Sequence, residues 1–353
     1  MKKVIAIVLV MVLAFSLMAC TGTTQPKESA AEAAVTEETK AEKPEDAKAD
    51  TGEKIKIGLS LPSLISQYFE ANKKAATDAA TAAGAELVVV NADGDAATQK
   101  KQIQDLISGG CQAVIAVSQD SDAIVSSAAD CAAAKVAFIA LGRKPTDMKD
   151  VSLYLGFSNE QSAGLCAENI KKAATALGQD KVKIIEMVGD LNDTNAVERK
   201  DFFEKKAKEL GMEIVAEVPT EWDVDTAFNR LTDTIQNTEE YNAIYAPSDI
   251  LIPAIMSVLS ARGEWVKYGE DNYKIITAID GSPTGVAAVK DGYVYCTSND
   301  DAFVLGKAGV ESAIDIIKNG APTEKEQTLE SMPVTKDVAD KAGDSIWGNA
   351  FAD

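Results

Sequence analysis

From Lys54 onward the chain repeats one unit about every thirty residues, the length of a strand-and-crossover unit. Each repeat is a short apolar run, a polar loop, and an amphipathic stretch that stops near a glycine. Runs at residues 55–59, 87–90, 113–117 and 137–141, and again at 182–188, 213–218, 243–246, 274–279 and 293–296, have the length of strands buried on both faces. Between them, residues 68–83, 98–108, 194–210 and 249–261 carry helical periodicity, and glycine stands just beyond each, as suits a helix C-terminus. Alternating strand and helix imply parallel sheets covered by helices on both faces and joined by right-handed crossovers. A folded body of about 300 residues is more than one such sheet usually holds. Four runs before Asp150 and five after Asp180 therefore predict two sheets, with residues 151–158 crossing between them.

Open sheets of this kind bind ligands outside the carboxyl ends of their strands. Those ends fall at residues 60–69, 91–95, 118–120 and 142–143 in the first half, and at 189–199, 221–222, 248–249, 280 and 297–300 in the second. The set mixes aromatic rings, two arginines, carboxylates and amides. If the two sheets face each other, it lines a single cleft.

Charge and composition narrow the chemistry. With 35 basic and 55 acidic side chains the net charge is −20, which argues against a nucleic-acid partner, because that affinity comes from Lys and Arg neutralising phosphates. The chain has no histidine, so Ser-His and Cys-His nucleophile pairs, His zinc sites and imidazole acid-base catalysis are all absent. No catalytic residue is assigned, and no cofactor or metal is implied.

The first residues have another character. Lys2 and Lys3 precede an apolar run from Val4 to Leu17, the layout of a secretory signal over residues 1–19 and too short for a comfortable membrane span. Leu17-Met18-Ala19-Cys20 resembles the lipobox of bacterial lipoproteins, which implies that Cys20 is lipidated and becomes the first mature residue. Residues 20–53 are rich in Thr, Ala, Glu and Lys, lack aromatics, and read as a disordered tether.

The body resembles the type I periplasmic binding proteins, in the ribose, galactose and glucose branch that serves ABC sugar transporters. The resemblance rests on the order and spacing of several markers: Ile55-Lys56-Ile57-Gly58-Leu59-Ser60 with Tyr68-Phe69, the turn at Asp120-Ser121-Asp122-Ala123, and Leu155-Gly156-Phe157-Ser158-Asn159 with Gly164. Glu198-Arg199, Glu221-Trp222-Asp223, Ser248-Asp249, Ala278-Ile279-Asp280-Gly281-Ser282-Pro283 and Ser298-Asn299-Asp300 follow in order. It implies an α/β chain of two doubly wound parallel-sheet lobes joined by a three-crossover hinge. The first lobe would take residues 54–157 plus 300–325, and the second 158–299 plus 326–353.

It also implies a site. Phe69 and Trp222 fall where aromatic rings sandwich a sugar, one from each lobe, with Tyr68 adding a polar tip. Arg143 and Arg199 fall where a guanidinium donates to hydroxyls or the ring oxygen. Asp280 is placed to accept hydroxyl protons, and Asn195, Ser248 and Asn299 to complete the contacts. Gly142, Val117 and Ser248 stand where relatives place polar residues: Asp or Asn, Asn, and Asn respectively. Trp222 and this altered polar set lean toward a pyranose such as glucose or galactose. The implied protein is not an enzyme. It is a monomeric extracytoplasmic lipoprotein that captures a monosaccharide and hands it to an ABC permease, touching the membrane only through its lipid. A sugar sensor that presents its bound form to a membrane receptor, and a carboxylate-based glycoside hydrolase, are the alternatives. The signal and tether occupy the place of the DNA-binding helices of sugar-responsive repressors. Cys111 and Cys131 come together at the bottom of one unit, either as a disulfide or as two small buried thiols.

Overall fold

A computed structural model of the chain describes residues 54–351. The expectations for the leader, Cys20 and the tether at 20–53 lie outside the described residues. No described helix is long and apolar enough to cross a membrane.

The first half runs β1 (Lys56–Leu61), α1 (Gln67–Ala82), β2 (Glu86–Asn91), α2 (Ala96–Ser108), β3 (Ala113–Ala116), α3 (Ile124–Ala133), β4 (Ala137–Leu141) and β5 (Leu153–Phe157). The second runs α4 (Asn159–Ala176), β6 (Lys183–Val188), α5 (Thr194–Glu209), β7 (Glu213–Pro219), α6 (Val224–Asn237), β8 (Ala243–Tyr245), α7 (Ile252–Ala261), β9 (Ile275–Asp280), α8 (Pro283–Asp291) and β10 (Cys296–Asn299). Then come α9 (Ala302–Asn319), β11 (Glu326–Leu329), β12 (Met332–Thr335), α10 (Lys336–Ala342) and α11 (Trp347–Ala350). The strands form two six-stranded sheets, ordered β11-β5-β4-β3-β1-β2 and β12-β10-β9-β8-β6-β7. Every pairing is parallel except β10 with β12.

Each apolar run divides by alternation between two covered faces. In the first sheet Ile57, Leu59, Ile115, Ile139 and Leu141 pack under α1 and α9, against Ala76, Leu305 and Val310. Their neighbours Val114, Ala116, Phe138 and Ala140 pack on the other face against Ile103 and Leu106 of α2 and Ala128 and Cys131 of α3. The second sheet repeats the arrangement. Ile185, Met187, Ile244 and Ile276 meet α6, α7 and α8 on one side, while Ile184, Tyr245 and Ile275 meet α4 and α5 on the other. Burying these runs on both faces is what commits the chain to helix-covered sheets.

Among the described residues the chain passes between sheets three times: from β5 into α4, from β10 into α9, and from β11 into β12. Two expectations are corrected here. Residues 151–158 include a fifth strand of the first sheet, since β5 pairs with β4 before the chain leaves at Ser158. The third passage comes later than expected, because residues 326–329 form β11 beside β5 and belong to the first sheet, not the second lobe. Strand β10 begins at Cys296, where the expected run at 293–296 ends. Cys111 and Cys131 are free, buried thiols in one apolar layer, so of the two arrangements the disulfide is not formed. Burial pushes the Cys131 thiol up to about 12.

Candidate functional site

The carboxyl ends of both sheets meet at a cleft with about 720 Å³ of empty space, its open mouth included. Tyr68, Phe69, Arg143, Asn195, Arg199, Trp222, Ser248 and Asp280 all line it. Tyr68 and Phe69 start α1, whose N-cap Ser66 accepts from the Tyr68 amide. Their rings meet edge to face at 5.9 Å. Burial pushes the Tyr68 phenol well above its ordinary value, so it stays a hydroxyl donor.

Asp193 organises one wall. It caps α5 by accepting from the Asn195 amide at 2.9 Å. Its other oxygen accepts from Trp222 Nε1 at 3.1 Å and pairs with Arg143 Nε at 2.9 Å, across the cleft. Arg143 also donates from Nη1 to the Ser118 carbonyl at 2.8 Å, and its guanidinium lies 5.5 Å from the Phe69 ring centre. Trp222 and Glu221 both take a left-handed φ of 57°, a conformation that bulky residues rarely adopt and that the surroundings must hold. The indole fits because Gly189 has no side chain: a Cβ there would fall 2.1 Å from Trp222 Cζ2.

Arg199 organises the floor. From α5 its Nε donates to Asn159 Oδ1 at 3.0 Å, Nη1 to the Pro247 carbonyl at 2.6 Å and to Asp280 Oδ1 at 3.4 Å, and Nη2 to Asp300 Oδ2 at 3.2 Å. Burial works against its charge, but Asp280 and Asp300 more than offset that and hold the guanidinium firmly protonated. Asp280 closes β9 and accepts from the Ser248 hydroxyl at 2.5 Å. Burial raises its carboxyl to about 6, with Arg199 pulling the other way. Below it Asp249 accepts from the Ser282 amide at 2.7 Å and the Thr297 hydroxyl at 2.9 Å. Burial, and then the Asp280 charge, push Asp249 well up. The arrangement offers carboxylate acceptors, guanidinium and amide donors, and apolar ring faces around one space. That is chemistry for holding a neutral polyhydroxylated molecule.

Asn299 is placed differently. It does not line the cleft: its Oδ1 is buried without a partner, packed against Gly281. Asp300, one residue on, faces the cleft instead, because successive residues of an extended chain point to opposite sides. Asn159, Asp193 and Asp300 are lining residues outside the expected set. Asp193 carried a signal, a capping Asp directly before Thr194 at a strand's carboxyl end. Asn159 carried none beyond its place at the first crossover. Asn195 bridges lobes, donating from Nδ2 to the Gly142 carbonyl at 3.0 Å and accepting from Asn159 at 3.0 Å.

Among known proteins, the periplasmic binding protein domain matches residues 57–321. The ribose import binding protein of Salmonella typhimurium is 25% identical over 262 residues, covering 74% of this chain and 84% of the relative. The xylitol-binding protein of Mycolicibacterium smegmatis is 25% identical over 289 residues, covering 81% and 79%. Among solved structures, an ABC transporter solute binding protein from Bacillus halodurans with bound myo-inositol superposes with a TM-score of 0.75 at 21% identity, over 85% of this chain and all of that one. A solute binding protein from Actinobacillus succinogenes with bound D-allose gives 0.74 at 21%, over 81% and 99%. The curated relatives are named as binding proteins, and the two-sheet fold is shared with the solved solute binding proteins. The chain belongs to the periplasmic binding protein family, whose domain spans residues 57–321, and it shares the two-sheet fold of the solved solute binding proteins.

Proposed function

We propose that this chain is a lipid-anchored extracytoplasmic receptor that captures one monosaccharide in pyranose form by closing its lobes and delivers it to an ABC permease. The observation that carries the reading is the pairing of Phe69 of the first lobe with Trp222 of the second in a cleft whose lining also includes Arg143, Arg199, Asp280 and Asp300. Aromatic faces suit the apolar C–H face of a pyranose, and the fixed donors and acceptors suit its rim of hydroxyls. Relatives named for ribose and xylitol, and neighbours holding myo-inositol and D-allose, support a small polyhydroxylated ligand. A thermal-shift panel of D-glucose, D-galactose, D-allose, D-ribose, D-xylose and myo-inositol tests it, because a compound that binds only the folded state raises the melting temperature. An aldohexose should give the largest rise; no rise with any of the six contradicts the reading. The anchor is tested separately. Wild-type protein should partition with membranes carrying a lipid on Cys20, and Cys20→Ala should block lipidation. Mature protein starting at another residue, without lipid, contradicts it.

A further inference from the structure

The tail after α10 anchors two adjacent residues in different lobes. Ile346 is buried in the core of the second lobe with Val334 and Ala339. Trp347, 1% exposed, packs with Ala71 of α1 and Ala302 of α9, and both helices cover the first sheet. Its ring meets Tyr68 edge-on at 5.7 Å. Its Nε1 donates to the Asp280 carbonyl at 2.8 Å. The same carbonyl accepts from the amide of Asp300, at the second crossover, at 3.2 Å. Two residues further, Asn349 accepts from Lys290 of α8 at 2.6 Å, pinning the tail to the second lobe again. The match to the family ends at residue 321, well before this segment.

Asp280 needs such a hold. Its φ of 115° lies where a residue with a side chain is strained, and strain of this kind persists only where the surroundings over-determine it. Arg199 and Ser248 hold the carboxylate, while Trp347 and Asp300 hold the carbonyl. Trp347 thus touches one cleft residue from each lobe, Tyr68 and Asp280, without lining the cleft itself.

We propose that the tail at Ile346 and Trp347 is a non-covalent link between the lobes additional to the three crossovers, and that Trp347 is a positioning residue setting Tyr68 on one side and the strained Asp280 peptide on the other. Its consequence for affinity rests on the sugar-binding reading above; the link itself does not. Amide hydrogen exchange of the ligand-free full chain separates the two. Trp347→Ala should speed exchange at least roughly tenfold in residues 67–72 and in 280–282. Trp347→Phe keeps a ring for the α1 contacts but has no N–H, so it should speed exchange at 280–282 alone. A tail that merely packs would speed exchange in 343–351 and leave the two distant segments within about twofold of wild type, which overturns the proposal. Should Trp347→Ala fail to fold, unchanged exchange at 280–282 in Trp347→Phe overturns it equally. Titration with D-glucose and D-galactose supplies the second arm, in which the sugar that binds wild type should bind Trp347→Ala roughly tenfold more weakly. If neither sugar binds wild type, the sugar reading is what fails, and the exchange pattern still decides the link.

Discussion

Asp280 carries two opposite dependences on pH. Its carboxyl is raised from 3.8 to about 6 by burial, against the pull of Arg199. The folded state therefore holds this proton more tightly than the unfolded chain does. Its contribution to stability is complete below about pH 4 and is lost as pH rises through about 6. Sugar binding should run the other way, since the ionised carboxylate is the stronger acceptor of hydroxyl protons. Calorimetric titration at pH 5 and pH 7.5 should find weaker binding at pH 5 in wild type; equal affinities contradict the role given to Asp280. Trp222 offers a test free of titration. A desolvated aromatic anchor is worth about 2 kcal/mol or more, so Trp222→Ala should weaken sugar binding roughly thirtyfold while the protein still folds, and normal binding would place the sugar elsewhere. Most of the cleft was legible residue by residue, because aromatic, Arg and Asp side chains at strand ends have few other reasons to be there. The slip from Asp300 to Asn299 shows the limit. At a strand's last residue the period of two decides which of two neighbours faces the ligand, and the end of β10 was not visible in the chain.

Strand β6 carries an acid its neighbours do not satisfy. Glu186 is fully buried, and both carboxylate oxygens lack a hydrogen-bond partner among the described residues. It lies near Glu204 and Glu217. Lys200 pairs with those two. Burial raises Glu186 to about 9, with Glu204 adding to the shift. It is a neutral acid at pH 7, and the fold loses stability as pH rises from about 4.5 through about 9. At pH 7 the penalty is about 3 kcal/mol by linkage. Glu186→Gln should raise the melting temperature, with the gain over wild type growing between pH 5 and pH 9. A gain that stays flat across that range contradicts the burial argument. The elements that read plainly were the central strands, whose both-face burial makes them continuous apolar runs. Strand β11 did not: Glu326, Gln327 and Thr328 are exposed at a sheet edge, where pairing through the backbone needs no apolar side chain. Strand β12 is short, contains Pro333 and is also an edge, so it gave no signal either.

The whole molecule is joined where its crossovers meet. Asp300, at the second passage, accepts from Ser162 at 2.9 Å beside the first and from Ser331 at 2.6 Å in the third. Through Arg199 the same carboxylate connects to Asp280 in the cleft. Away from the hinge the lobes touch through Arg143 and Asp193, Asn195 and Gly142, and Thr194, which donates to the Lys144 carbonyl at 2.8 Å. Apart from the apolar packing of Trp347 against α1 and α9, these contacts are polar, as suits lobes that separate and rejoin, because a large apolar interface would resist opening. Two lobes and alternating elements could be read from the chain. The late third passage could not, since it depends on which sheet the polar strand β11 joins. The central claim is that sugar closes the lobes through Asp280, and small-angle scattering tests it most directly. Adding the sugar that most stabilises wild type should shrink its radius of gyration and leave Asp280→Ala unchanged at the same concentration. A bound sugar that leaves the wild-type radius unaltered, or an equal contraction in Asp280→Ala, contradicts the account.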